Sequence, residues 1–126
     1  MANEITFTAS LSINKTSIMS AAIARSVTNL LRNMTGTTYI QDTMLVTTAE
    51  IAIPLGGVTS PHWAFFNNLD STNYIQIYDA TGQSAHAFIR LLAGDCAFVP
   101  LDTSLTAPFA KANTASCQLE FLIVSA

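Results

Sequence analysis

A chain of 126 residues is long enough for one domain that buries roughly two-thirds of the surface its unfolded form exposes, and too short for a second of ordinary size. Half of the residues are hydrophobic and only 10% are charged, against roughly 25% in ordinary soluble domains, so part of the outer surface is expected to be covered by another subunit. The basic residues Lys15, Arg25, Arg32, Arg90 and Lys111 are scattered and the net charge is −3, which excludes a basic nucleic-acid groove.

The opening residues MANEITFT carry neither a basic start nor a long hydrophobic core. They read as a cytosolic start without a signal peptide, and no apolar run approaches the ~18 residues of a membrane span. From Glu4 to Ile13, Ile5, Phe7, Ala9, Leu11 and Ile13 alternate with Thr6, Thr8, Ser10 and Ser12. This predicts a half-buried strand with one hydroxyl-rich face. Residues 1–15 are read as an N-terminal strand or arm used in subunit contacts, with Ile5, Phe7 and Leu11 as its candidate interface residues. Asn14-Lys15 offers a turn.

Between Thr16 and Met34 two periods compete. Met19, Ile23, Val27, Leu30 and Met34 fall at helical spacing behind Thr16 or Ser17, while Met19, Ala21, Ile23 and Val27 also fit a period of two. The reading adopted is strand through about Val27, with a short helix within 16–34 as the alternative. Gly36 closes the segment. Thr37 to Thr48 predicts a strand with Ile40, Met44 and Val46 on its apolar side, and Pro54 places the short run Ile51, Ile53, Leu55 at an edge or bulge. After a turn over Gly56 to Pro61, the run Trp63-Ala64-Phe65-Phe66 is expected at the centre of the core, with Trp63 or Phe65 pointing inward.

Asn67 to Asn73 is a turn whose side chains can bond their own backbone. Tyr74 to Tyr78 alternates next, with Ile75 and Ile77 on one face and Tyr74, Gln76 and Tyr78 on the other, a face that suits subunit contact as well as solvent. Ala85 to Leu91 and Cys96 to Leu101 are expected to form a hairpin around Gly94-Asp95. Asp102 to Lys111 reads as a loop containing Pro108. Ser116 to Val124 is a final strand on which Cys117, Leu119, Phe121 and Ile123 share a side. Eight or nine strands with short spacings predict one all-β domain over 1–126, a β-sandwich or jelly roll of antiparallel strands.

Little in the chain points to chemistry. His62 and His86 have no ligand-spaced neighbours, so no metal site is expected. There is no G-x-S-x-G nucleophile turn, and Gly56-Gly57 lacks the lysine and helix of a phosphate loop. Asn67, Asn68, Asp70 and Asp79 match no defined calcium loop, and self-capping of the turn is the expected role. Cys96 and Cys117 read as buried reduced thiols. No cofactor and no enzymatic activity are expected.

The run LGGVTSPHWAFFNNLDSTNYI from Leu55 to Ile75 resembles a group of small virion proteins of tailed bacteriophages. In that group a turn of glycine, hydrophobic residue, threonine and proline leads to an aromatic strand, then to N-L-D-x-T-N and another strand. Leu91-Leu92-Ala93-Gly94-Asp95 is similar to the group's L-x-x-G-E turn with Asp95 as its acid, and Pro108 to Ala115 with Leu119 to Leu122 is similar to its final segment. The likeness covers roughly residues 36 to 124. It implies a jelly-roll-like subunit of a phage particle, assembled in the host cytoplasm. The first expectation is a capsid decoration or cement protein that forms a homo-oligomer, a trimer being the preferred order, and binds the major capsid protein. A tail or baseplate component is the alternative, and a carbohydrate-binding module would require Trp63, Tyr74 or Tyr78 as exposed stacking platforms.

Overall fold

The computed structural model describes residues 5–13, 23–32, 34 and 36–125. The chain divides into two compact units, residues 1–34 and 35–126.

The first unit contains two antiparallel strands, β1 (Ile5–Ile13) and β2 (Ile23–Arg32). Strand β2 settles the competition between periods over 23–32, while the expectations for Glu4, the turn at Asn14-Lys15 and residues 16–22 lie outside the described residues. The pairing steps from Phe7↔Leu30 to Ala9↔Val27, so Thr28 and Asn29 together oppose Thr8. Such a bulge needs one residue off the extended path, and Asn29 supplies it with φ 52°. Its amide N–H donates to Thr8 Oγ1 at 3.2 Å. Because of the extra residue, Val27 and Leu30 fall on the same face although they are three apart. That spacing is what imitates a helix in the sequence.

The second unit has eight strands: β3 (Tyr39–Val46), β4 (Ile51–Ala52), β5 (Pro61–Asn68), β6 (Ile75–Tyr78), β7 (Ile89–Leu91), β8 (Cys96–Pro100), β9 (Phe109–Ala112) and β10 (Cys117–Ser125). They form two antiparallel four-stranded sheets, ordered β3-β10-β5-β8 and β4-β9-β6-β7. Consecutive strands mostly alternate between the sheets, and this order is the double Greek key of a jelly roll. The expected all-β sandwich is the fold.

One apolar layer fills the space between the sheets. Phe66, Leu119, Phe121 and Ile123 come from one sheet, Ile75, Ile77, Ala110 and Ala112 from the other, and each is at most 1% exposed. On β10, Cys117, Leu119, Phe121 and Ile123 face this layer, as their alternation predicts. On β3, Ile40, Met44 and Val46 do the same. Pro54 follows β4, which is indeed an edge strand.

Three expectations are corrected. On β5 the inward residues are Ala64, Phe66 and Asn68, not Trp63 or Phe65, which are only half-buried. The aromatic run is apolar on both faces, so its composition could not reveal which set turns inward; pairing of Phe66 with Phe121 and Ala64 with Ile123 decides it. Strands β7 and β8 do not form a hairpin. β7 pairs with β6 and β8 with β5, and the turn at Leu92 to Asp95 carries the chain from one sheet to the other. Residues 84–86 form a 3-10 turn before β7. Finally, the expected loop over 102–111 ends in strand β9, which brings the total to ten strands.

At the end of β5 the side chain of Asn68 is fully buried. Its Nδ2 donates to the carbonyl oxygens of Asn73, Leu91 and Leu92 at 2.8, 3.1 and 3.0 Å, and its Oδ1 accepts the Asp70 amide at 3.1 Å. One amide thus joins β5 to the end of β7 in the other sheet. Gly56, with φ 57°, sits where an added Cβ would lie 3.1 Å from Ile40 Cδ1.

Two outcomes follow for unfolding by urea. Phe121→Ala leaves a cavity between the sheets and should cost about 3–5 kcal/mol, a large share of the ~5–15 kcal/mol typical of a domain. Asn68→Asp removes the donor shared by three carbonyls and should cost at least ~2 kcal/mol; an unchanged midpoint for either would contradict the packing described.

Candidate interaction surfaces

Alternation that turns one side of each strand inward turns the other outward, so each sheet presents an outer face. On the sheet β3-β10-β5-β8 the register sets up cross-strand rows. Tyr39, Val124, Trp63 and Pro100 form one, and Gln41, Leu122, Phe65 and Phe98 the next. A third runs Thr43, Glu120, Asn67, Cys96. Trp63 stacks on Phe98 with ring centroids 5.1 Å apart and planes 13° from parallel. Glu120 is the ionisable carboxylate in these rows, and it accepts a hydrogen bond from Asn67 Nδ2 at 2.9 Å. Tyr39 and Leu45, on the edge strand, are 66% and 51% exposed. His62 Nδ1 and Trp63 Nε1 are buried without a hydrogen-bond partner, a cost of about 1–3 kcal/mol for each such group.

The two edges of that sheet resist strand addition. Asp42 occupies an inward-parity position on β3, opposite Phe121, yet is exposed. A charge at such a position, like the proline Pro100 ending β8, is a device that keeps a second strand from pairing.

The outer face of β4-β9-β6-β7 is organised by a carboxylate. Glu50 accepts from the Thr81 hydroxyl, from the Gly82 amide at 2.8 Å and from Tyr78 OH at 2.9 Å. The Thr81 bond, outweighing partial desolvation and helped by Gly82, Tyr78 and the Lys111 charge, holds Glu50 below the ordinary carboxylate range. Burial, with the neighbouring Glu50 as second cause, raises the Tyr78 phenol far above its usual value and keeps it neutral. Tyr78 also stacks on Phe109.

These contacts correct the expectation for β6. Tyr78 is fully buried and is no part of an exposed face. The turn containing Thr81 and Gly82 and the residue before β4 close over it, which no local pattern announces. Tyr74 and Gln76 are half-buried. The Arg90 guanidinium lies 4.6 Å from the Tyr74 ring centre, a cation–π contact.

On β1, Ile5 and Phe7 are half-buried and Leu11 is 61% exposed. Val27 and Leu31 are also exposed, as are Arg25 and Arg32. The predicted interface residues therefore fall into two separate groups, and the aromatic outer face of β3-β10-β5-β8 belongs to neither. Its signal was present in the sequence. Trp63 to Phe66 and Phe121 to Val124 are apolar at both parities, the mark of strands covered on both sides.

The remaining candidates resolve as structural. The Asp70 carboxylate accepts the amides of Asn73 and Thr72, and these bonds lower its pKa. The turn caps itself, as expected. Among the described residues no group of three or more His, Cys, Asp or Glu side chains is placed to hold a metal ion. Cys117 is buried, and its thiol is pushed up by burial and by the charge of Asp70. Cys96 differs from expectation because it lies on the outer face of an edge strand and is exposed; both thiols are free. No helix among the described residues is long and apolar enough to cross a membrane.

The carboxylate pattern has a pH consequence. Glu50, Asp70 and Asp102 are all lowered in the folded chain, so their stabilisation is complete above the unfolded-state values and is lost as pH falls through the folded ones. Thermal unfolding followed from pH 7 to pH 2 should show melting temperature falling below about pH 4.5. In Glu50→Gln the protein should be less stable at pH 7 and its acid decline shallower; a decline parallel to the parent's would separate Glu50 from it. Comparison of the chain with protein-family models, with curated proteins and with solved structures finds no match in any of the three.

Proposed function

We propose that the protein is a structural subunit of a bacteriophage virion, and that its role is capsid decoration: it binds the assembled head, across junctions between major capsid proteins, and stabilises the shell. The observation that carries this reading is the outer face of β3-β10-β5-β8, an apolar sheet surface with Trp63, Phe65, Phe98 and Leu122 in adjacent register. A surface of that kind is suited to being covered in an assembly. The sparse charge of the chain and the resemblance of residues 55–75 to small virion proteins support the same reading.

Mechanistically the role requires no chemistry. A subunit that binds the assembled shell and not its dissociated parts stabilises assembly by mass action, in proportion to the logarithm of its concentration over its dissociation constant. Several such contacts around a symmetry axis add interface area without altering the capsid protein itself. The subunit acts with copies of itself, with a trimer as the preferred order, and the paired strands β1 and β2 are the natural candidate for reaching a neighbour. A two-stranded ribbon of this kind is marginal alone in water and gains stability when a third surface covers its apolar side.

Two other roles compete. A sugar-binding module needs open aromatic platforms, but Tyr78 is buried, Tyr74 is capped by Arg90 and Trp63 is stacked on Phe98. A tail component could be built from the same module, and position on the particle separates it from decoration. Purified protein mixed with empty, tailless heads should bind them at a fixed stoichiometry and raise the temperature at which they disassemble. Binding to tails with none to tailless heads would instead assign it to the tail.

A further inference from the structure

We infer that the cleft between the end of β6 and the loop that leaves β8 is a binding site for a neutral saccharide, with the Phe88 ring as its stacking platform. The inference goes beyond the role in assembly and does not rest on it.

Position is the first argument. Asp79 follows the last residue of β6 and Pro100 ends β8, strands of opposite sheets. With Phe88, just before β7, and the loop through Thr106 they bound a cleft of about 480 Å³, within the ~300–1,000 Å³ of small-molecule sites. The loop is tied down by its own bonds: Ser104 N–H donates to Asp102 Oδ1 at 2.8 Å and Leu105 N–H to Asp102 O at 3.0 Å, which lowers the ordering cost of binding.

The ring is the second. Ile89 turns into the core, so its neighbour Phe88 is sent outward and is 66% exposed. Tyr74, Tyr78 and Trp63, the rings that the sequence offered as sugar platforms, are each engaged by the chain itself, whereas Phe88 is open and walls a cleft. A lone exposed ring is ordinary on a protein surface. One set beside hydrogen-bonding groups matches a sugar, which has an apolar C–H face and a hydroxyl edge.

Polarity is the third. Asp79 is exposed, and Asp102 Oδ1 accepts both the Oγ–H and the N–H of Ser104. Those bonds, the hydroxyl first, hold the Asp102 carboxyl below its usual range, so it stays an ionised acceptor, and they leave the Ser104 hydroxyl oxygen to meet a ligand as an acceptor as well. No lysine, arginine or histidine lines the cleft. Such a lining suits a ligand with several O–H donors and repels an anionic one. A metal ion lacks its ligand set, since among the described residues no three His, Cys, Asp or Glu side chains are placed together. An ammonium has no lone pair to accept from the Thr106 hydroxyl, whereas a sugar oxygen does.

The test uses the full chain. Saturation-transfer NMR with a panel of soluble mono- and disaccharides, neutral ones beside sialylated and uronic ones, should show a neutral sugar bound with a dissociation constant on the order of 1 mM. The acidic sugars should stay free, and raising sodium chloride from ~0.1 to ~1 M should leave binding unchanged. Phe88→Ala should weaken it at least ~10-fold, Phe88→Trp should keep it, and Asp79→Ala should weaken it ~10-fold. Tyr39→Ala removes an equally exposed ring from β3 and should change nothing. All four are surface changes, and their melting temperatures should match the parent's.

A chain that binds no sugar of the panel overturns the inference, as does binding indifferent to Phe88→Ala and Asp79→Ala alike. Uptake of a choline or guanidinium salt, lost as salt rises and with no sugar bound, would assign the acceptors to an organic cation and overturn it too. Acidic sugars bound as tightly as neutral ones would do the same. None of these results bears on binding to empty heads, which is a separate property of the subunit.

Discussion

A single buried amide holds the two sheets in register. Asn68 ends β5 in one sheet, and its Nδ2 reaches the carbonyl of Leu91 on β7 in the other, along with those of Leu92 and Asn73. Its own backbone is tied to the same crossover, with its N–H donating to Asp95 O at 2.9 Å and its carbonyl accepting Gly94 N–H at 3.2 Å. A polar side chain at zero exposure is costly unless its bonds are made, and here they are made at both ends. The arrangement allows little slippage, since moving β5 by one residue would put Asn67 inside and strand three carbonyls. By fixing parity at position 68 it also places Phe66 and Ala64 in the core and sends Trp63 and Phe65 outward. The apolar outer face is therefore a consequence of the same constraint that closes the fold.

The two outer faces of the jelly roll meet different needs. One is finished within the chain: Glu50 gathers Thr81, Gly82 and Tyr78, and Arg90 covers Tyr74. The other carries half-buried aromatic rings and the buried Trp63 Nε1 without a hydrogen-bond partner. The two outer faces thus differ in chemistry, one polar and satisfied by its own groups, the other largely apolar. Charge is divided as well. Lys15, Arg25 and Arg32 belong to the first unit, whereas Glu4 is the one acidic residue before position 35.

What could be read from the sequence depended on whether local pattern or distant pairing decided the outcome. β10 was legible because a long strict alternation has one solution, with Leu119, Phe121 and Ile123 inside. The self-capped turn after Asn68 was legible because Asp70 bonds amides two and three residues away. The orientation of β5 was not, because both parities are apolar and the choice belongs to Asn68 and its remote carbonyls. Strands β7 and β8 resembled a hairpin because a short turn joins them, although their partners lie elsewhere in the chain. β9 was missed since Phe109-Ala110-Lys111-Ala112 is short and alanine-rich, with low intrinsic preference for a strand. Of the candidate surface residues, Ile5, Phe7, Leu11, Tyr74 and Gln76 are at least partly open, but Tyr78 is closed over by Glu50, 28 residues before it, together with the turn of Thr81 and Gly82 that Glu50 holds.

The last of the ten strands in chain order occupies the middle of its sheet. β10 lies between β3 and β5, so the nascent chain leaves the ribosome with its earliest body strand still lacking a neighbour and its main apolar layer open. Pairings between such distant segments form slowly and expose unpaired edges meanwhile. A product released before Cys117 could not close the sandwich at all, because Leu119, Phe121 and Ile123 would be missing from its centre. Synthesis through β10 thereby becomes a checkpoint for folding, since only a chain that includes it can close both sheets around one apolar layer.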